Sequence, residues 1–191
     1  MASTPPGQRR MQILQALAEM LEQPKGDKVT TAALARKLEF SEAALYRHFA
    51  SKAQMFEGLI EFIEASIFGL INQIAERQSD GLKQARDIVG MLLQFAANNP
   101  GMTRVLCGDA LVNEDERLQQ RMNHCYDRIE LALKQALRLA VTEGQAHEAD
   151  VAARASLLTS YVLGRWQRYA KSGFKHNPAQ DATLHIALLL Q

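Results

Sequence analysis

The chain has 191 residues, 47% of them hydrophobic, and a net charge of +1, so it is long enough for one large or two small domains with a proper core. It holds only 11 glycines and 5 prolines, and its long stretches rich in alanine, leucine, glutamate, arginine and glutamine are typical of an all-α protein. No apolar run approaches the roughly 20 residues needed to span a bilayer, and Cys107 and Cys125 lie far apart without a secretory signal, which predicts a soluble protein with reduced thiols in a cytosol.

The N-terminal segment divides into a tail and a helix. Residues 1 to 8, MASTPPGQ, are predicted to be disordered, because two prolines and a glycine offer nothing to bury. An amphipathic helix then follows Arg9 and Arg10, and its apolar face is formed by Ile13, Leu14, Leu17, Met20 and Leu21. Pro24-Lys25-Gly26 predicts the end of this helix.

The stretch from Thr30 to Lys52, TTAALARKLEFSEAALYRHFASK, contains two short helical patterns that meet at a turn and are followed by a third helix start. This order is typical of a helix-turn-helix. Thr31 is predicted to cap the first helix, whose inward face is formed by Leu34, Ala35 and Leu38.

The second short helix has two distinct faces. Ser41 is predicted to cap it, and Leu45 and Phe49 form its buried stripe. The opposite face carries small side chains, one aromatic hydroxyl and one guanidinium, on Ala43, Ala44, Tyr46 and Arg47. Small residues let a helix approach base edges closely, so this face is a candidate for contact with DNA.

A third helix start follows directly. Ser51 and Gln54 form a predicted capping box, and Lys52 at the first helical position can meet a phosphate held at that positive helix end. For Thr30 and Thr31 the sequence leaves two alternatives open: they contact a phosphate or a base of the DNA, or they cap the helix. Arg9 and Arg10 lie either near a phosphate or minor groove or in a solvated charged end.

The charge distribution fits a duplex-binding end only weakly. Residues 1 to 55 carry eight lysines and arginines against five acids, a charge of +3, which leaves −2 for the remainder. Phosphate neutralisation supplies most non-specific affinity for DNA, and a modestly basic end is consistent with it.

The remaining sequence predicts one long helix from Ser51 to about residue 80, followed by a helical body. Further helices are predicted at 82–97, 102–112, 113–141, 149–171 and 179–190, separated by the breaks at 98–101, 144–149 and 172–178. The 113–141 helix has one apolar stripe, formed by Leu118, Met122, Cys125, Ile129, Ala132 and Ala136.

The last two helices predict self-association. Small residues permit close helix approach at Ala152, Ala153, Ala155, Ser156, Ser160 and Gly164, and the final LHIALLL is more apolar than a lone surface helix should be. A two-fold dimer through these helices would form a four-helix bundle and present two recognition helices. The alternative is that the same residues complete an intrachain core.

The sequence shows no signature of catalysis, a metal or a cofactor. His124, Cys125, Cys107, His147, His176 and His185 lack metal-ligand spacing on any one face, and nucleophile, Walker and dinucleotide motifs are missing. A non-enzyme is therefore predicted. Aromatic and sulfur-bearing residues are candidates either for an effector cavity or for core packing: Phe68, Met91, Phe95, Met122, Tyr126, Tyr161 and Trp166.

The run SEAALYRHFASK, with a leucine-containing helix before it and MFEGLIEFIE after it, resembles the DNA-binding end of TetR-type regulators. In that family the tyrosine, histidine and lysine of Y-x-H-F-x-x-K contact or support the DNA backbone, and they match Tyr46, His48 and Lys52. The resemblance implies a three-helix head at 9–52, a body at 53–191, about nine helices and a homodimer. The family usually has glycine in the turn, where this chain has Glu39. The complete candidate DNA-binding set is Arg9, Arg10, Thr30, Thr31, Ser41, Ala43, Ala44, Tyr46, Arg47, His48 and Lys52.

Other runs resemble the nucleoid occlusion proteins within that family. They are LIEFIE at 59–64, NPG-x-TR at 99–104 and RLQ-x-R…RIE at 117–130. The resemblance implies a DNA-bound, nucleoid-associated cytoplasmic dimer that engages the tubulin-like division protein FtsZ. The matching partner-binding positions are Phe62, Leu70, Met91, Gln94, Asn98 and Asn99.

That partner surface differs from the family pattern. Phe62 and Asn99 match it, whereas the related proteins have arginine at Leu70 and Asn98 and glycine at Gln94, so two cationic contacts are missing. A ligand-released transcriptional repressor shares the head and the dimer and is the alternative. A purely scaffolding bundle would show no salt-dependent affinity for duplex DNA.

Overall fold

The computed structural model describes residues 6–23 and 29–191, and in these ranges the chain forms nine α-helices and one 3₁₀ turn, without a strand. The all-α prediction is confirmed for this part of the chain. The helices are α1 Pro6–Leu21, α2 Thr31–Lys37, α3 Glu42–Tyr46, α4 Lys52–Arg77, α5 Gly81–Asn98, α6 Pro100–Leu106, α7 Glu116–Thr142, α8 Glu148–Lys171 and α9 Ala182–Leu189, with the 3₁₀ turn at Asp109–Leu111. We call α1 to α3 together with Lys52, the first residue of α4, the head, and the rest of the chain to the end of α9 the body.

Helix α1 begins earlier than the sequence predicts. It starts at Pro6, where a proline at the first turn leaves no helical hydrogen bond unmade. The prediction of disorder is therefore wrong for residues 6 to 8, and residues 1 to 5 lie outside the described residues. The predicted stop at Pro24-Lys25-Gly26 also lies outside them.

Helix α2 is capped by Thr30 and not by Thr31. The Thr30 hydroxyl accepts a hydrogen bond from the Ala33 amide at 3.1 Å, and Thr31 is the first helical residue. The prediction placed the cap one residue too late, since two neighbouring threonines offer the same local signal.

The turn after α2 closes as a Schellman motif with Glu39 in the left-handed region, at φ 56°. The Phe40 amide donates to the Ala35 carbonyl at 2.8 Å, and the Glu39 amide donates to the Arg36 carbonyl at 3.2 Å. A non-glycine residue at this φ costs about 1–2 kcal/mol. The two hydrogen bonds and the exposed position of the side chain make it tolerable.

Among the described residues, helix α4 is long and apolar enough, by length and composition alone, to cross a membrane. The prediction that no run approaches that length is wrong for α4. Seven of its side chains are buried against other helices: Met55, Phe56, Leu59, Ile60, Ile63, Ile67 and Ile71. Its apolar character is explained by this packing, and Glu57, Glu61 and Glu64 lie within the same segment.

In the body, α5 packs against α4, α7 and α8, and α7 also packs against α4 and α8. The apolar stripe predicted for α7 is buried, apart from the half-buried Ala132. Trp166 of α8 is fully buried, and its indole Nε1 donates to the Leu92 carbonyl of α5 at 3.1 Å. This hydrogen bond joins two residues that are 74 positions apart.

Two predicted body helices are shorter than expected. The segment 102–112 is not one helix, because α6 ends at Leu106 and Gly108 adopts φ 76°, after which the 3₁₀ turn begins. Helix α9 begins at Ala182, after Asp181 at φ 57°, and not at residue 179. Arg165 of α8 holds the intervening loop, since its guanidinium donates to the carbonyls of Asn177, Pro178 and Gln180 at 2.7–3.2 Å.

The head packs directly on the body at Gly101. A Cβ on Gly101 would lie 1.9 Å from the carbonyl oxygen of Ala18, so the backbones of α1 and α6 touch without side chains between them. This close approach requires glycine, and it ties the orientation of α1 to that of α6.

Candidate DNA-binding and partner surfaces

Helix α3 presents the face predicted to read DNA. The Ser41 hydroxyl accepts from the Ala44 amide at 3.2 Å, which confirms Ser41 as the cap, and Leu45 and Phe49 are 0% and 1% exposed. These two side chains fix the inner side of the helix. On the outer side Ala43, Arg47 and Tyr46 are exposed, the last to 44%, and Ala44 is half-buried.

Thr31 is used inside the head. Its hydroxyl donates to a carboxylate oxygen of Glu42 at 2.7 Å and so joins the start of α2 to the start of α3. Thr30 caps α2 and remains exposed. The structure therefore assigns structural hydrogen bonds to both threonines, and any contact with a nucleic acid would be additional.

Arg10 and Arg9 brace α1 against the other head helices. The Arg10 guanidinium donates to the His48 carbonyl at 2.8 Å and lies 4.2 Å from the centre of the Phe49 ring. Arg9 lies 5.3 Å from the Phe40 ring. The sequence predicts either a phosphate contact or a solvated end for the two arginines. Their contacts within the head could not be predicted, because the contacted residues lie about 30 to 40 positions away along the chain. Arg10 is nevertheless exposed at the surface that contains the half-buried His48.

The start of α4 lies next to this surface. The Ser51 hydroxyl accepts from the Gln54 amide at 3.1 Å, which is the first half of a capping box, and the Gln54 side chain accepts from the amide of Ala50, the residue before the cap, at 2.8 Å. Lys52 is the first helical residue, and its ammonium forms an ion pair with Glu114 of the body. No motif in the sequence connects Glu114 with Lys52, because 62 positions separate them.

The six candidate partner-binding residues lie on the antiparallel helices α4 and α5 and the loop that follows α5. Phe62 and Asn99 line one groove of about 360 Å³, and Leu70 and Met91 line a second groove of about 360 Å³. Phe62 and Leu70 are eight residues apart on α4, and Asn99 and Met91 are eight residues apart in the opposite chain direction. The two grooves therefore follow one another along the same pair of helices. Gln94 and Asn98 are exposed between them and share a hydrogen bond of 2.9 Å.

The groove around Phe62 and Asn99 is formed by both parts of the molecule. Met11, Leu14 and Ala18 of α1 contribute to it together with Leu59 of α4 and Met102 of α6. The groove around Leu70 and Met91 also contains Ile74, the guanidinium of Arg77 and the carboxylate of Asp87. Both grooves therefore combine apolar side chains with polar and charged ones.

The candidate effector-cavity residues take part in core packing. Met122 and Trp166 are 0% exposed. The other five, Phe68, Met91, Phe95, Tyr126 and Tyr161, are partly buried and pack against the core. This arrangement favours the core-packing alternative that the sequence left open.

The cysteines and histidines do not form a metal centre in the part of the chain that the structure describes. Burial raises the pKa of the Cys125 thiol to about 12, which makes it a poor nucleophile and metal ligand at neutral pH. His124, its neighbour in sequence, is exposed on the other side of α7. Burial also raises the pKa of Cys107.

Comparison with known proteins extends over both parts of the molecule. Residues 13–59 match the family described as bacterial regulatory proteins, tetR family, and residues 79–191 match the SlmA-like, tetracyclin repressor-like C-terminal domain. The nucleoid occlusion factor SlmA of Aliivibrio fischeri is 50% identical over 183 residues, which cover 95% of this chain and 93% of the relative. The chain belongs to the SlmA family of TetR-type regulators.

Other SlmA proteins are similar to the same extent. SlmA of Alteromonas mediterranea is 49% identical over 174 residues, covering 91% of this chain and 89% of the relative. SlmA of Vibrio cholerae is 48% identical over 183 residues, covering 95% and 93%. The resemblance to the nucleoid occlusion proteins is thereby confirmed at the level of the family.

Solved structures of more distant proteins share the fold. A TetR transcription regulator from Haloarcula marismortui superposes with a TM-score of 0.80 at 15% identity, over 96% of this chain and 97% of that one. The regulator FadR of Bacillus subtilis, solved in complex with stearoyl-CoA, gives 0.77 at 14% identity, over 95% and 97%. At this identity they show that the SlmA-family chain has a TetR-type fold.

Proposed function

We propose that the protein is a nucleoid occlusion factor: a regulator without enzymatic activity that binds chromosomal DNA as a homodimer in the cytoplasm and, when bound, antagonises assembly of FtsZ. The observation that carries this function is the 50% identity to SlmA, which runs through head and body alike. A protein that shared only the head would be similar over α1 to α3 and the start of α4 alone.

The DNA contact follows from the geometry of α3 and α4. Helix α3 enters the major groove with Ala43, Ala44, Tyr46 and Arg47, since its other side is anchored by Leu45 and Phe49. Lys52 at the positive end of α4 binds a phosphate beside that groove. Few side chains on α3 donate hydrogen bonds to bases, so DNA shape supplies part of the specificity.

The dimer contact follows from the outer face of α8 and α9. Leu157, Leu184 and Leu188 are 56%, 62% and 58% exposed, and large exposed apolar patches mark interfaces. Small residues surround them at Ala152, Ala153, Ser156, Ser160 and Gly164, all exposed. Ala155, which the sequence grouped with them, is fully buried inside the chain and belongs to the intrachain core.

The FtsZ contact is assigned to the α4–α5 surface with its two grooves. Leu70 is 37% exposed where the related proteins have arginine, so this part of the surface offers an apolar contact in place of a cation. Arg77 lines the same groove about two turns further along α4 and supplies a positive charge, with the negative charge of Asp87 in the same lining. The partner residues are therefore Phe62, Leu70, Met91, Gln94, Asn98 and Asn99.

DNA binding is tested by measuring duplex affinity against salt concentration. We expect affinity to fall with salt, and Lys52→Ala to weaken binding to every sequence and reduce the slope by about one unit. Substitutions at Ala43 or Ala44 should instead change which sequence is preferred. An unchanged slope in Lys52→Ala contradicts the phosphate assignment.

Division control is tested by sedimentation of FtsZ polymers with the protein, with and without its cognate duplex. Loss of polymer only when DNA is present is the expected result. Intact polymers despite tight DNA binding would contradict the FtsZ assignment and favour the ligand-released repressor, which shares the head and the dimer.

A further inference from the structure

The ammonium of Lys52 is already paired within the molecule. Its partner is the carboxylate of Glu114, and the two side chains are only 24% and 13% exposed. The centre of the Phe56 ring lies 5.6 Å from the ammonium nitrogen. A pair that is shielded from water is screened less than a pair at the open surface.

The position of Glu114 is set by its backbone. Asn113 has φ 65°, and the Glu114 amide donates to the Leu111 carbonyl at 3.0 Å. Leu111 is 5% exposed and anchors this connection in the core, while Asp115 caps α7. The segment 109–115 therefore holds a carboxylate against the first residue of α4.

A phosphate at the start of α4 and the carboxylate of Glu114 are both anions that require the same ammonium. We propose that Glu114 is an intramolecular competitor of DNA for Lys52, so that duplex binding breaks the Lys52–Glu114 pair and frees the 109–115 connection from the head. This inference rests on the proposed function, because it takes Lys52 as a phosphate contact.

The competition has two consequences. Glu114 lowers the affinity for DNA of any sequence, because the pair must open before the phosphate is bound. Conversely, bound DNA weakens the tie between the head and the start of α7, since the coupling between two binding events is reciprocal.

A double-mutant cycle tests the competition with the full-length protein and one duplex: wild type, Glu114→Gln, Lys52→Ala and the double variant. Removing the competitor should tighten duplex binding about two- to fivefold, the size expected for one partly exposed ion pair. In the Lys52→Ala background the same substitution should have almost no effect. Glu116→Gln is the matched control, because it removes the same charge two residues away from an exposed side chain.

Three results would overturn the proposal. They are weaker binding by Glu114→Gln, an effect no larger than that of Glu116→Gln, and an equal gain with and without Lys52, which would mean that Glu114 acts only as a general negative charge. If wild type binds the duplex in a Lys52-dependent way and one of these appears, the competition fails and the proposed function stands. Absence of duplex binding by wild type overturns both.

Amide hydrogen exchange gives a second measurement on the wild-type protein, which is independent of any folding defect in a variant. Exchange in residues 109–115 should quicken when a saturating duplex is added, while the buried stripe of α7 stays protected. Unchanged exchange in that segment contradicts the release of Glu114.

Discussion

The short helices of the head are held by side-chain caps between near neighbours, whereas the long helices of the body are held by contacts between residues far apart in the chain. Thr30 and Ser41 each accept a hydrogen bond from the amide three residues later. Helices of 7 and 5 residues, such as α2 and α3, are too short to be stable on propensity alone, and caps satisfy the amides that would otherwise lack partners.

The body shows the opposite balance. Its helices of 18 to 27 residues bury a continuous stripe, and Trp166 reaches Leu92 across 74 positions. Changes in the head should therefore have small, local effects on stability, and changes in the body large, global ones. Four substitutions test this contrast.

Trp166→Ala should have the largest effect. It removes a fully buried ring and leaves the Leu92 carbonyl without its donor, so we expect a loss of about 3–5 kcal/mol in the free energy of unfolding, measured by urea denaturation. Leu131→Ala is the control, since Leu131 is 49% exposed on α7 and should change stability by no more than about 0.5 kcal/mol. If Trp166→Ala lost less unfolding free energy than Ser41→Ala in the head, the proposed difference between head and body would be wrong.

Gly101→Ala tests the junction between the two regions. The new methyl group would lie 1.9 Å from the Ala18 carbonyl oxygen, so α1 and α6 must separate, with a loss of about 1–3 kcal/mol and weaker duplex binding. Gly90→Ala in α5 is the matched control, because no atom lies within 4 Å of its added Cβ. That variant should gain about 0.5–1 kcal/mol from helix propensity. Equal behaviour of the two variants would argue against a tight junction.

Ser41→Ala removes the cap of α3, the proposed recognition helix. The expected loss is about 1 kcal/mol in stability, together with lower duplex affinity, because the Ser41 hydroxyl is the side-chain cap of the first turn of α3. Thr30→Ala should cost a similar amount in stability but less in affinity, since it caps α2. Thermal unfolding and duplex titration of both variants check this, and equal affinity losses would contradict a special role for α3.

Glu39→Gly should have the smallest effect and the opposite sign. Glycine removes the strain of φ 56° but adds freedom to the unfolded chain, so we expect a gain of about 0.5 kcal/mol. Asn113→Gly, at φ 65°, should gain less because asparagine tolerates this region better. Chemical denaturation of the two variants measures the difference, and a loss of stability in Glu39→Gly would mean that the glutamate side chain has a stabilising contact.

The sequence predicts the parts of the molecule that depend on local signals. The caps at Ser41 and Ser51 and the buried Leu45 and Phe49 follow from spacing of three or four residues, and the structure confirms them. Where two neighbours carry the same signal, as Thr30 and Thr31 do, the boundary cannot be placed to one residue.

Contacts between distant positions could not be predicted. The bond from Arg10 to His48 spans 38 positions, and the pair of Lys52 with Glu114 spans 62. No periodicity in the sequence indicates that the acidic residue before α7 comes to lie beside the start of α4. The sequence therefore predicts which residues form the candidate site, but it does not predict the hydrogen bonds and ion pairs that they make with distant parts of the chain.

The groove that contains Phe62 and Asn99 has two walls, one formed by α1 and the other by α4 and α6. Beside the groove, the backbones of α1 and α6 touch at Ala18 and Gly101 without side chains between them. A rotation of α1 relative to α6 therefore changes the width of the groove. A peptide bound in this groove would therefore favour one orientation of α1. A duplex that favours the same orientation of the head would raise the affinity of the groove for that peptide.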